Sequence, residues 1–310
     1  MMCFSRRCLL LALLVCLALR PAMAEDAADD MELAIPKPVM QLHQVNISGT
    51  MAYVLMDDRH AILIDGGSNI TANDYTRKPE QLDAYLASLG IERLDAHIVT
   101  HWHNDHSYNI HYFNRLYADE STVLYGVSAA KPERFVMEKG SYRQLRAGDE
   151  FRIGPFHFQV LGPERDTVSG DNNADSLNFI LTYGSRRFLF TGDYMSRRVL
   201  EMYPDEIAAV DVFQFPHHGL QPFCVDQLTL RAVDPKLVLL PGNSRGYVRL
   251  YMRECGITPD RDIFSMDGDP GNATVLLCDG DVIEVLPNQK PGDITRTRYP
   301  AALEANTTAK

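Results

Sequence analysis

Thr100-His101-Trp102-His103-Asn104-Asp105-His106 stands directly behind the apolar run Ala96 to Val99. Four metal-binding side chains, His101, His103, Asp105 and His106, thus fall within six residues. A strand running from Ala96 to Thr100 leaves His101 and His103 pointing the same way, because side chains alternate with period two, and the turn that follows brings Asp105 and His106 round. One short loop can then serve two cations. Neutral imidazole suits Zn²⁺, and a mixed nitrogen and oxygen ligand set is what hydrolytic zinc sites use when one position is left for water.

Three further segments have the same character. Asp65 closes the apolar stretch Ala61 to Ile64 and precedes Gly66-Gly67, so the backbone can turn sharply and leave the carboxylate at the strand end. A carboxylate so placed can orient a metal-bound histidine and fix its tautomer. Thr191-Gly192-Asp193 repeats the form after Phe188-Leu189-Phe190, and a carboxylate there can bridge two cations. His217-His218-Gly219 follows the apolar run Val210 to Phe215 and Pro216, offering one imidazole ligand and a neighbour, either of which can face the cations. Each segment alone is an ordinary turn or strand end; four in this order, each behind an expected strand, reinforce one another.

Together these motifs resemble, in kind and order, those of the metallo-β-lactamase superfamily, over a span from about Gln41 to Val285. The resemblance implies an α/β fold, an αββα sandwich of two mixed β-sheets flanked by helices, with a dinuclear zinc site at one edge. His-His-Gly, the stretch Asn172 to Leu177 and Asp234-Pro235-Lys236 are similar to the branch that holds competence proteins and phosphorylcholine esterases. On this basis His101, His103 and Asp193 are expected around one zinc, and Asp105, His106, Asp193 and His218 around the other. Asp65 orients a ligand, and His217 contacts a phosphoryl oxygen or protonates the leaving group, so that Asp105, His217 and Asp65 count as catalytic. Two departures stand out. The G-H-T-x-G segment that gives many members a third histidine on the first metal is missing near Asn173 to Leu177, which leaves that position to Asn173, Asp175 or water. Leu220 follows His-His-Gly where the competence-like branch has serine.

The expected activity is that of a zinc-dependent hydrolase in which water is activated between two cations, a phosphodiesterase acting on a small or headgroup-like ester. An amide, lactone or thioester hydrolase is the alternative within enzymes, and a zinc-binding module without catalysis the alternative outside them. Charge narrows the partner. Arg6 and Arg7 precede the apolar run Leu9 to Leu19, and Ala22-Met23-Ala24 offers small residues for cleavage, the pattern of a signal peptide over residues 1–24. The run is too short to span a bilayer. Its removal takes three arginines and no acid, moving the net charge from −11 to −14, which disfavours nucleic acid as a partner. The mature protein is expected outside the cytoplasm, without a transmembrane segment and with no protein partner implied.

Residues 25–38, acidic and then proline-bearing, read as a linker, 39–290 as the catalytic domain and 291–310 as a flexible tail. Strands are expected at Met51 to Met56, Ala61 to Ile64, Phe156 to Leu161, Leu177 to Tyr183, Arg187 to Thr191, Val210 to Phe215 and Leu237 to Leu240, with a hairpin across Asp279-Gly280. Helices are expected from Pro79 to Gly90, around Tyr247 to Cys255, and with Ile110, Phe113, Leu116 and Tyr117 on one face. Cys224, Cys255 and Cys278 lack zinc-knuckle spacing and read as packed residues. His43, His60, His97, His111 and His157 read as structural, and Trp102 and Tyr108 as either pocket wall or packing. Asn46, Asn69, Asn272 and Asn306 each open an N-x-S/T triplet.

Overall fold

The computed structural model describes residues 39–47, 50–67, 79–127, 137–164, 172–220, 224–257, 262–266 and 268–294. The expected leader and linker, Asn69, Asn306 and the end of the tail lie outside them. Among the described residues the strands are, in chain order, β1 (Met40–Val45), β2 (Tyr53–Met56), β3 (Ala61–Ile64), β4 (Ala96–Ile98), β5 (Val123–Gly126), β6 (Ser141–Gln144), β7 (Glu150–Ile153), β8 (Phe156–Gly162), β9 (Asn178–Tyr183), β10 (Arg186–Phe190), β11 (Val212–Gln214), β12 (Leu237–Leu240), β13 (Asp262–Ser265), β14 (Ala273–Cys278) and β15 (Ile283–Gln289).

They form two sheets, ordered β15-β14-β1-β2-β3-β4-β5-β6 and β13-β12-β11-β10-β9-β8-β7. Both are mixed. In the first, β14, β1, β2 and β3 run antiparallel and β3 to β6 parallel. In the second, β7 to β10 run antiparallel and β10 to β13 parallel.

Alternation along the strands produces the layers. Tyr53 and Leu55 of β2, Ile62 and Ile64 of β3 and Ala96 and Ile98 of β4 point inward against Phe158, Phe179, Phe188 and Phe190 of the second sheet. Stacked rings at 4.6 Å (Phe151, Phe158) and 5.0 Å (Phe179, Phe190) fill the interior. Each such ring contributes about 1.5–3 kcal/mol of apolar transfer free energy. The opposite face of the first sheet, with Val54, Met56 and Leu63, packs on Leu82, Tyr85 and Leu86 of helix Pro79–Ser88. The outer face of the second sheet, with Leu189, Phe213 and Val238, packs on Val248, Tyr251 and Met252 of helix Arg245–Glu254. The result is the αββα sandwich that the motifs imply.

Local differences from the sequence reading have physical causes. Helix Ile110–Tyr117 buries Ile110, Phe113, Asn114 and Tyr117, while Leu116 falls off that face and is exposed. The strand expected to reach Thr100 stops at Ile98, because the Thr100 amide donates to Asp65 Oδ1 at 2.8 Å instead of to a neighbouring strand. Within the tail read as flexible over 291–310, Ile294 is buried against the first sheet's outer cluster, so packing continues at least that far. Among the described residues no helix is long and apolar enough to cross a membrane.

Candidate metal centre

The C-terminal ends of β3, β4, β10, β11 and β12 point to one edge of the sandwich, where their departing loops carry the polar side chains. Ligand sites sit characteristically beyond such carboxyl ends. After β3, Asp65 takes a left-handed φ of 54°. Its carboxylate accepts from the Thr100 amide and from Thr100 Oγ1, both at 2.8 Å. After β4 the chain passes through His101 and His103 and turns into the one-turn helix Asn104–Ser107, which carries Asp105 and His106. The Gly66 and Gly67 amides donate to His106 O at 2.7 and 3.1 Å, tying the Asp-Gly-Gly turn to this helix.

The second sheet supplies the rest. Leu177 N donates to Thr100 O at 2.8 Å, which joins the two sheets beneath the site, and the Asp193 amide donates to Ser176 Oγ at 3.0 Å within the second sheet. Gly192 is required there: its φ is +56°, and a Cβ would lie 3.0 Å from both Ser176 and Thr100. His217 and His218 both have φ of 53° in a 3-10 turn after β11.

The six expected ligands converge. Donor atoms of Asp105, His106, Asp193 and His218 all lie within 4.8 Å of one another, and so do those of His101, His103 and Asp193. Asp193 belongs to both groups. Its Oδ1 lies 3.1 Å from His106 Nε2 and 3.7 Å from His218 Nε2, and its Oδ2 lies 3.8 Å from the Nε2 atoms of His101 and His217. Two donor sets sharing one carboxylate have the form of a two-cation site.

The outward-facing ring nitrogens show how the set is oriented. His106 Nδ1 donates to Asp65 Oδ2 at 2.9 Å, and His218 Nδ1 to the Pro241 carbonyl at 2.8 Å. In both rings Nε2 is thereby directed at the centre, the arrangement found in metal-ligating histidines. Among the described residues, His101 Nε2, His106 Nε2 and Asp193 Oδ1 are buried without a hydrogen-bond partner, although buried polar atoms are ordinarily paired. His106 Nε2 and Asp193 Oδ1 are close but misaligned for a hydrogen bond, as expected of two donors aimed at a common cation. The residues therefore fit a bound metal.

Electrostatics agrees. Burial opposes charge on His106, but the Asp193 and Asp65 carboxylates outweigh it and raise its pKa well above the usual imidazole value. Burial likewise opposes charge on His218, and the Asp105 hydrogen bond and Asp193 outweigh it upward. Burial favours the neutral form of Asp193 and Asp105, yet the surrounding histidines hold both carboxyls well below the ordinary range. Protons thus occupy the role that a divalent cation would take.

Four of the histidines outside the centre have structural partners. His43 accepts from Tyr85 OH and donates to Gln41 Oε1, His60 bonds Asp57, His157 sits 3.3 Å from Glu150, and His97 is buried beside Phe113. Trp102 is buried packing among Val99, Ile110 and Leu124 rather than a pocket wall. Cys224, Cys255 and Cys278 are free and buried. The sequence assigns no role to the Pro241 carbonyl, Ser176 or Thr100: the first two act through backbone contacts, and Thr100 acts through the Asp65 carboxylate, none of which leaves a motif.

Comparison with known proteins agrees with this geometry. ComE operon protein 3 of Bacillus subtilis is 26% identical over 200 residues, covering 59% of this chain and 25% of that protein. This fits the competence-protein side of the resemblance. The atrochrysone carboxyl ACP thioesterase of Aspergillus fumigatus is 28% identical over 184 residues, covering 57% of this chain and 39% of that protein. The chain therefore spans well under half the length of either curated relative. Among solved structures, the metallo-beta-lactamase fold protein YhfI of Bacillus subtilis is similar in fold, with a TM-score of 0.51 at 14% identity, covering 73% of this chain and 95% of that one. The model of the metallo-beta-lactamase superfamily matches residues 46–243, the interval that holds every side chain of the centre, and with the sandwich and the converging donors it makes this chain a member of that superfamily.

Proposed function

We propose that this protein is an extracytoplasmic hydrolase that works with two zinc ions and cleaves phosphodiesters of small or headgroup-like molecules. The carrying observation is the division of six donors into two close groups that share Asp193. Bound as a pair, divalent cations lower the pKa of water to near neutrality and stabilise the attacking and leaving oxygens of a displacement, which suits phosphodiesters. No serine or cysteine nucleophile is then needed.

The chain's own groups do the rest. Asp65 and the Pro241 carbonyl hold His106 and His218 in the tautomer that directs Nε2 inward. Asp193 would serve both cations, since its Oδ1 faces His106 and His218 and its Oδ2 faces His101 and His217. The Asp105 and His217 side chains are 22% and 18% exposed, whereas His101, His106 and Asp193 are at most 2% exposed. Substrate therefore enters on the side of Asp105 and His217.

The similarity to a protein named as a thioesterase favours acyl-ester hydrolysis as the second reading. Initial rates on bis(p-nitrophenyl) phosphate, a phosphocholine ester, an acyl thioester and a β-lactam, measured with and without chelator, separate the two. Chelator-sensitive turnover is expected to be fastest on a phosphoester; faster turnover of the thioester overturns the phosphodiesterase assignment. Cell fractionation of the full chain tests the location, with processed protein expected outside the cytoplasm and full-length cytoplasmic protein the contrary result.

A further inference from the structure

We infer that His217 supplies the remaining nitrogen ligand of the first cation, in place of the histidine missing from the Asn173 to Leu177 stretch, with the Cys224 sulfur as its outer partner. The inference rests on the two-cation reading. It replaces the expected contact of His217 with a phosphoryl oxygen or leaving group.

Four imidazoles lie within 4 Å of the Asp193 carboxylate. Two Nε2 atoms, of His106 and His218, approach Oδ1, and two, of His101 and His217, approach Oδ2. His217 and His218 share a left-handed φ of 53°, and their rings diverge, with centroids 6.3 Å apart, so that consecutive residues face opposite oxygens of Asp193. Without His217 the first group has only three protein donors, one fewer than the second.

The tautomer of His217 follows from its neighbours. Asn173 Nδ2, which can only donate, lies 3.3 Å from Nε2, so Nε2 presents a lone pair. The ring proton is then on Nδ1, which donates to Cys224 Sγ at 3.2 Å. His217 thereby shares with His106 and His218 an outward Nδ1 held by a fixed partner and an Nε2 turned toward Asp193. The acceptor here is sulfur instead of oxygen. His217 stands outside the tight group of His101, His103 and Asp193, with its Nε2 3.8 Å from Asp193 Oδ2 and its side chain 18% exposed.

Zinc titration of the metal-free full chain, with affinity and stoichiometry read calorimetrically, tests this. Wild type is expected to bind two equivalents. His217→Ala and the bulkier His217→Gln should keep the site of Asp105, His106 and His218 at wild-type affinity and bind the other cation at least about ten-fold more weakly. Cys224→Ala should weaken that same cation by about ten-fold or more, the low end for loss of an outer partner, with Cys224→Ser restoring affinity because a hydroxyl also accepts. Cobalt in place of zinc should show an altered visible band in the His217 variants. Binding of both cations at wild-type affinity by both His217 variants overturns the inference, even if their turnover falls, since His217 then acts on substrate. Failure of wild type to bind any metal removes the two-cation reading itself.

Discussion

At the residue scale, the centre depends on which nitrogen of each imidazole carries the proton. Asp65 fixes this for His106, so Asp65→Asn should weaken the second cation by about 10–100-fold, the range for loss of a carboxylate behind a ligating histidine. Zinc titration of the variant checks it. pH dependence follows from the same contacts. His106 and His218 have raised pKa values because carboxylates face them, so in the metal-free chain they hold protons that a cation must displace. Zinc affinity is therefore expected to fall as pH is lowered from 8 to 6, with protons released on binding in proportion. Calorimetry in buffers of different ionisation enthalpy measures that release; pH-independent affinity without proton release would contradict the assignment.

At the element scale, the site is built from strand ends, and this explains how much of it the sequence disclosed. Asp65, His101, Asp193 and His217 each follow an apolar strand, so the change from apolar to polar residues marked both the strand and its functional end. β12 was legible to the residue, as Leu237–Leu240 is apolar throughout. β1 was not read, because Gln41, His43 and Gln44 interrupt its pattern; they are buried all the same, Gln44 bonding to Phe264 O at 3.1 Å and His43 to Tyr85. β6 and β7 are short and partly exposed at sheet edges, where no strong apolar pattern is needed. Gly242 gave no sequence signal, yet a Cβ there would meet the His218 carbonyl oxygen at 2.3 Å. Gly242→Ala must displace the turn that presents His218. It is expected to weaken the second cation more than the first and to cost about 1–3 kcal/mol of stability, as overpacking does. Thermal melts and zinc titration of the variant check both effects.

At the scale of the whole molecule, two buried histidines outside the centre tie stability to pH. Burial lowers His43 and His97 from 6.5 to about 3. Between these values the unfolded chain takes up protons that the folded chain refuses. Stability is therefore fully present above about pH 6.5 and declines as pH falls toward about 3, by roughly 1.4 kcal/mol per pH unit for each histidine. Denaturant midpoints at pH 7 and pH 5 should show the loss, and His97→Phe should reduce it; equal midpoints in wild type would contradict the burial argument. The triplets at Asn46 and Asn272 are not open to glycosylation in the folded chain, since both side chains are buried and hydrogen-bonded, Asn46 to Gly268 O and Asn272 to Asn288.

The sharing of Asp193 by both donor groups is the claim on which the function rests. Metal content of the purified protein, wild type beside Asp193→Ala, tests it most directly. Two zinc equivalents per wild-type chain and less than one in the variant are expected. An Asp193→Ala chain that keeps the full wild-type zinc content would contradict the shared two-cation centre.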